Sequence, residues 1–186
     1  RSNLIRRLDG IEHLSNLVTI ELADNLIRKM GPMNLSKTCP MLTTLDLSYN
    51  QIRRIENISG LIHLKHLYVA NNKLTTIGME EGLGSIPCNL KRLDLGYNRI
   101  RHMENLPPSL EELWLGKNKI TVIKGLSTND GSLRILDVQS NRLVSLTRDS
   151  ASTTAIQKKK KSRENGKDLG GDDSNTAVVD QSPTTL

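Results

Sequence analysis

The chain has 186 residues, a formal net charge of +6, and only three Tyr and one Trp as aromatics, with no Phe. That length supports one substantial core, and a core almost without rings must be filled by branched aliphatics, which suits a stacked, repetitive architecture. The modest basic excess permits an acidic partner without selecting nucleic acid. No apolar run approaches membrane-spanning length or the pattern of a leader, and the two cysteines, Cys39 and Cys88, form no disulfide framework and suit a reducing compartment.

From the N-terminus, Asn3 followed by Ile5 reads as the tail of a repeat whose strand precedes Arg1. Next come LVTIELADN closing on Asn25, LTTLDLSYN on Asn50, LKHLYVANN on Asn72, LKRLDLGYN on Asn98, LEELWLGKN on Asn118 and LRILDVQSN on Asn141. These asparagines recur every 20 to 26 residues, each with Ile or Leu two positions later. This is the period of leucine-rich repeats. The two apolar residues of each LxL flank a single residue, the spacing of a strand. Leu45 and Leu47 should therefore point inward and Asp46 outward. A closing Asn both donates and accepts, so it can satisfy backbone groups buried where the chain turns inward.

After Asn50 the apolar spacing lengthens to about three, through Ile52, Ile55, Ile58, Leu61 and Leu64, which predicts a 3₁₀ or short helical return on the convex side. Two returns carry insertions: one holds Met30, Pro32, Cys39 and Pro40, the other Gly78, Gly82, Gly84 and Pro87. Both read as looped or helical bulges. Pro107–Pro108 favours an extended return. The expected fold is an α/β leucine-rich-repeat solenoid over residues 1–147, with a curved parallel sheet on the concave side and short 3₁₀/helical or extended returns on the convex side. Neither end carries a recognisable polar cap of the kind solenoids need.

Beyond Leu146 the period stops, and residues 148–186 read as a disordered tail rich in Lys, Ser and Asp. Lys158, Lys159, Lys160, Lys161 and Arg163 form a basic cluster there. It reads as a nuclear localisation signal or a contact for an acidic surface, or as a solvated charge run.

Little in the chain suggests catalysis. His63 and His66 have no nearby Cys or carboxylate to complete a metal set, and Cys39 and Cys88 lack a CxxC partner. There is no phosphate-cradling glycine loop, no GxSxG elbow and no HExxH. Asp46, Asp94 and Asp137 occupy alternate strands, about 10 Å apart, too far to share a proton directly. No enzyme activity, cofactor, metal or small-molecule substrate is expected.

The outward residue of each LxL instead forms a column: Glu21, Asp46, Tyr68, Asp94, Trp114, Asp137. The column two residues earlier reads Thr19, Thr44, His66, Arg92, Glu112, Ile135, and the residue before each closing Asn reads Asp24, Tyr49, Asn71, Tyr97, Lys117, Ser140. All four aromatics are expected at outward strand positions. Rings beside carboxylates describe a protein-binding surface, and acids there argue against phosphate recognition. The candidate binding residues are Asp46, Tyr68, Asp94, Trp114, Asp137, Glu21 and Tyr97.

The stretches NQIRRIENISGL at 50–61, NRIRHMENL at 98–106, LGKNKIT at 115–121 and QSNRL at 139–143 resemble one family of cytoplasmic and nuclear repeat proteins: leucine-rich-repeat regulatory subunit 7 of protein phosphatase 1. The resemblance covers about residues 3–146. It implies that the concave face docks the phosphatase catalytic subunit through Asp46, Tyr68, Asp94 and Trp114. The family carries Phe where this chain has Tyr68 and Trp114. The resemblance also implies a non-catalytic role in the nucleus and cytoplasm. Family members continue through further repeats and a cap that add phosphatase contacts, where this chain has its Lys-rich tail. The alternative reading is a scaffold of ciliary, axonemal or spliceosomal assemblies.

Overall fold

A computed structural model describes residues 1–11, 13–30, 35–58, 60–77, 89–103, 106–124, 126 and 131–144. The tail at 148–186, with Lys158–Lys161 and Arg163, lies outside the described residues, as do Pro32 and the insertion holding Gly78, Gly82, Gly84, Pro87 and Cys88.

Each LxL segment forms a three-residue strand: β1 (Thr19–Glu21), β2 (Thr44–Asp46), β3 (His66–Tyr68), β5 (Arg92–Asp94), β7 (Glu112–Trp114) and β9 (Ile135–Asp137). They make one parallel sheet in the order β1-β2-β3-β5-β7-β9. The register is constant, with Leu45 opposite Leu67 and Leu93 opposite Leu113. Repeated sequence therefore becomes repeated position: the same column of the repeat stacks on itself at about 4.8 Å per turn. The middle residue of each strand from β1 to β7 is buried, while that of β9, Leu136, is half-buried. Ser2 and Asn3 continue the stack before β1, their amides donating to Ala23 O and Asp24 O at 3.1 Å.

The core is a single column of aliphatics, among them Leu45, Leu47, Ile52, Ile55, Ile58, Leu61 and Leu64, all at most 1% exposed. Each such side chain contributes about 1.5–3 kcal/mol when withdrawn from water. Met30, Leu35 and Cys39 extend the core beneath the first insertion. There α1 (Leu35–Thr38) makes one helical turn, with Cys39 N donating to Leu35 O at 2.9 Å.

The returns take both forms the spacing allowed, a short helical turn and extended segments. Among the described residues α1 is the only α-helix. The return strands β4 (Thr76–Ile77), β6 (His102–Met103) and β8 (Val122–Ile123) pair in parallel as a second, three-stranded sheet. β-branched residues make up much of these segments and suit an extended backbone. The spacing of three at Ile58, Leu61 and Leu64 is realised as consecutive turns, Leu61 N to Ile58 O at 3.1 Å and Leu64 N to Leu61 O at 2.9 Å. It does not become a regular helix, because each turn ends after one i→i+3 bond and the chain re-enters a strand.

Candidate functional site

The geometry of the outward face begins with the asparagines. Asn72 Nδ2 donates to Val69 O and Ala70 O in its own turn and to Leu47 O in the turn before, at 3.2, 3.1 and 2.9 Å. Its Oδ1 accepts from Ile52 N at 2.9 Å. Asn50, Asn98 and Asn118 repeat all four bonds and are buried. Asn141 makes the same set while half-buried. Asn25 holds Leu22 O and Ala23 O and accepts from Ile5 N. Each asparagine therefore clamps two successive turns together as well as closing its own.

This clamp fixes the preceding residue in the left-handed region: Asp24, Tyr49, Asn71, Tyr97, Lys117 and Ser140 have φ between 52 and 60°. Asp and Asn tolerate that backbone, but a bulky ring adopts it at a cost. Tyr49 and Tyr97 are therefore corner residues, not strand residues as the spacing suggested. Their rings stand out beside the strand row, 58% and 61% exposed. Lys117 Nζ lies 5.9 Å from the centre of the Tyr97 ring, within cation–π range.

The three aspartates of the column share one local bond. Asp46, Asp94 and Asp137 each accept, through Oδ1, the amide of the residue two positions on (Ser48, Gly96, Gln139) at 2.9 Å. That bond holds each carboxylate against its own turn. Burial pushes the Asp94 carboxyl above the ordinary range; the Gly96 bond opposes this, and the charges of Asp46 and Asp137 add to it. Small residues floor the space between carboxylates and corners: Ala23, Ser48, Ala70, Gly96 and Gly116. A Cβ at Gly116 would come within 2.8 Å of Asp137 Oδ2 and 3.1 Å of Gln139 Cγ. The result is an open groove of about 660 Å³, lined also by Tyr49, Tyr97 and Trp114.

A second arrangement lies beside it. Arg92 donates to Glu112 Oε1 at 2.5 Å and to the Tyr68 hydroxyl at 3.3 Å, and Trp114 Nε1 donates to Glu112 Oε2 at 3.3 Å. The chain Tyr68–Arg92–Glu112–Trp114 thus ties two rings across β3, β5 and β7. Arg92's hydrogen bond holds the Glu112 carboxyl below its ordinary range, and Glu112 in turn raises Arg92 further. His66, 6.5 Å from the Tyr68 ring, is pushed down by burial first and then by Arg92.

Asp46, Asp94, Trp114, Asp137 and Tyr97 all line the groove. Tyr68 is half-buried and joined to it through the Arg92 network. Glu21 stands apart on the edge strand, exposed, with Arg1 Nε 3.6 Å away. Arg92, Glu112 and Tyr49 belong to the face but were not singled out from the sequence. Opposite charges at equal positions of neighbouring repeats, and the equivalence of Tyr49 with Tyr97, were the signals. Among the described residues no group of three His, Cys, Asp or Glu could hold a metal ion, and no helix is long and apolar enough to cross a membrane.

Fold and repeat define a leucine-rich-repeat protein. Models described as "Leucine Rich repeats (2 copies)" and "Leucine Rich Repeat" match residues 40–85 and 89–111. The chain is 38% identical over 131 residues to the protein phosphatase 1 regulatory inhibitor subunit PPP1R7 homolog of Arabidopsis thaliana, covering 66% of this chain and 38% of that protein. It is 30% identical over 141 residues to tubulin-specific chaperone E of Xenopus laevis, covering 70% and 27%. The chain thus spans well under half the length of these relatives. Among solved structures, the functional domain of InlJ from Listeria monocytogenes superposes with a TM-score of 0.63 at 25% identity, over 78% of this chain and 30% of that one. A leucine-rich-repeat protein of Leptospira interrogans gives 0.58 at 25%, over 78% and 36%.

Proposed function

We propose that this chain is a non-catalytic regulatory subunit that docks the catalytic subunit of protein phosphatase 1 on the outward face of its larger sheet. The carrying observation is the convergence of Trp114, Tyr97, Tyr49 and the Asp46–Asp94–Asp137 row on one groove. Trp114 and the neighbouring Tyr68, half-buried and held by hydrogen bonds, lose little freedom when a partner covers them, which is the character of an interface anchor. The carboxylates supply charge complementarity and register. The named partner rests on the Arabidopsis relative, a protein phosphatase 1 regulatory inhibitor subunit, and on the matching runs from Asn50 to Leu143.

In this reading the protein works in the nucleus and cytoplasm, and Lys158–Lys161 with Arg163 direct nuclear import. Calorimetry of the chain against the purified catalytic subunit tests the docking. Saturable binding that Tyr68→Ala/Trp114→Ala abolishes supports it, and absence of binding by the parent chain removes it.

A second reading is a scaffold in a ciliary, axonemal or spliceosomal assembly. Two relatives have names that refer to tubulin or microtubules, the tubulin-specific chaperone and the 187-kDa microtubule-associated protein AIR9 of Arabidopsis thaliana, 37% identical over 79 residues. Affinity purification that recovers tubulin, axonemal or splicing proteins without phosphatase would select it.

A further inference from the structure

The aromatic and acidic face leaves the chain's positive charge unaccounted for. Much of that charge sits in the few residues after each closing asparagine: Arg6-Arg7, Arg28-Lys29, Arg53-Arg54, Lys73, Arg99 with Arg101, and Lys119. These segments stack in register, because their backbones bond from turn to turn. Gln51 N donates to Ile27 O, Lys73 N to Ile52 O, Arg99 N to Leu74 O and Lys119 N to Ile100 O, at 2.8 to 2.9 Å. Equivalent cations on successive turns therefore stand about 4.8 Å apart at their backbones, a spacing at which like charges repel. Arg28, Lys29, Arg53, Arg54, Arg99 and Arg101 are all exposed. None of these six forms an ion pair with a described acid. A shallow depression of about 670 Å³ is lined by Arg28, Lys29, Arg53, Arg54 and Lys73, with Glu56 its one acidic residue.

We infer that this basic flank is a second interaction surface, separate from the groove, and that it binds an acidic polypeptide segment in extended form. Arginine forks pair with carboxylates through two parallel hydrogen bonds, and charge of one sign stacked without internal partners is neutralised most effectively by a partner of the opposite sign. From Arg28 to Lys119 the flank crosses four intervals between turns, roughly 19 Å, which an extended segment of about six residues covers. A single-stranded nucleic acid fits less well. Its binding draws on base stacking against rings, and the chain's aromatics, Tyr49, Tyr68, Tyr97 and Trp114, belong to the other face. The same division of charge keeps an acidic segment off the Asp46–Asp94–Asp137 row.

The test is fluorescence anisotropy of the full chain with a labelled ten-residue glutamate-rich peptide. A single-stranded RNA of matched charge and phosphatidylserine vesicles serve as competitors. The expected result is salt-sensitive binding that Arg28→Gln/Arg53→Gln/Arg54→Gln weakens by about tenfold or more. Arg53→Lys/Arg54→Lys, which keeps the charge and gives up the forked hydrogen bonds, should bind with an affinity between those of the parent and the triple glutamine variant, and Trp114→Ala should leave it unchanged. Glutamine substitution of Lys158–Lys161 should also leave it unchanged. The inference is overturned if the triple glutamine variant binds as tightly as the parent, if loss follows the Lys158–Lys161 substitution instead, or if RNA or vesicles displace the peptide and bind more tightly. Because Trp114 is not used, failure here leaves the phosphatase reading standing, and the reverse also holds.

Discussion

Arg92 and Glu112 meet at 2.5 Å across the neighbouring strands β5 and β7, and each also holds a ring, Arg92 the Tyr68 hydroxyl and Glu112 the Trp114 indole. The pair is partly exposed, so its own contribution to stability is small, about 1 kcal/mol or less. Its effect on the rings is larger, because losing Glu112 frees Trp114 and leaves Arg92 without its carboxylate. Glu112→Gln should therefore shift the thermal midpoint only slightly while weakening partner binding several-fold. The Glu112 carboxyl is held down by Arg92. Its stabilisation is thus present above the ordinary Glu range and lost as pH falls through the depressed value. Parent and variant melts should converge in acid; melts that stay parallel down to about pH 2 would exclude this linkage.

Asp94 has the opposite sign. Its carboxyl is raised, mainly by burial, so the folded protein keeps that proton to higher pH than the unfolded chain does. Through that window the folded state binds more protons, and stability falls as pH rises. Asp94→Asn preserves an oxygen to accept the Gly96 amide and removes the charge. The variant should be more stable than the parent near pH 7, with the difference vanishing below about pH 3. Urea melts at both values check this; a variant less stable than the parent at neutral pH would show that the carboxylate's charge is favourable where it sits.

The asparagine ladder predicts a gradient along the stack. Asn72→Ala strips four hydrogen bonds, two of them to the turn before, from a buried site. Leaving these backbone groups unpaired should cost about 3 kcal/mol. Asn141→Ala removes the same set at a half-buried position, where water can replace part of it, and should cost about half as much. Equal losses in chemical denaturation would mean that the bonds act independently of burial.

Much of this was legible beforehand. LxxLxLxxN placed the six strands of the larger sheet, because period-2 alternation and a recurring amide leave one arrangement that stacks. The column Asp46, Tyr68, Asp94, Trp114 followed from the same alternation. The asparagine's reach into the preceding turn was not legible, since it depends on register between repeats rather than on any one repeat. Nor was the left-handed backbone at Tyr49 and Tyr97, which is set by the clamp and overrides the strand preference of tyrosine. The second sheet, β4-β6-β8, was hidden because two-residue strands show no period, and apolar spacing of three fits a turn, a helix or an extended return alike.

Gly116 offers a change that separates groove from scaffold. A Cβ there meets the Asp137 carboxylate and the exposed Gln139 side chain rather than backbone. Both can swing aside, so Gly116→Ala should cost about 1 kcal/mol or less. The displaced carboxylate and the filled floor should nevertheless weaken docking about tenfold. Surface plasmon resonance beside a thermal melt distinguishes the two effects; unchanged affinity would place the partner elsewhere on the sheet.

Trp114 is the sharpest test of the face. It is half-buried, lines the groove and donates to Glu112. If it anchors the phosphatase catalytic subunit, Trp114→Ala should cost about 2 kcal/mol of binding, near thirtyfold in Kd. Trp114→Phe keeps a ring on β7 and gives up only the bond to Glu112, so it should lose about threefold or less. The pair of variants separates ring burial from hydrogen bonding by calorimetry, with melts to confirm folding. Equal loss in both would assign the indole N–H the larger part, and no loss in either would move the anchor away from β7.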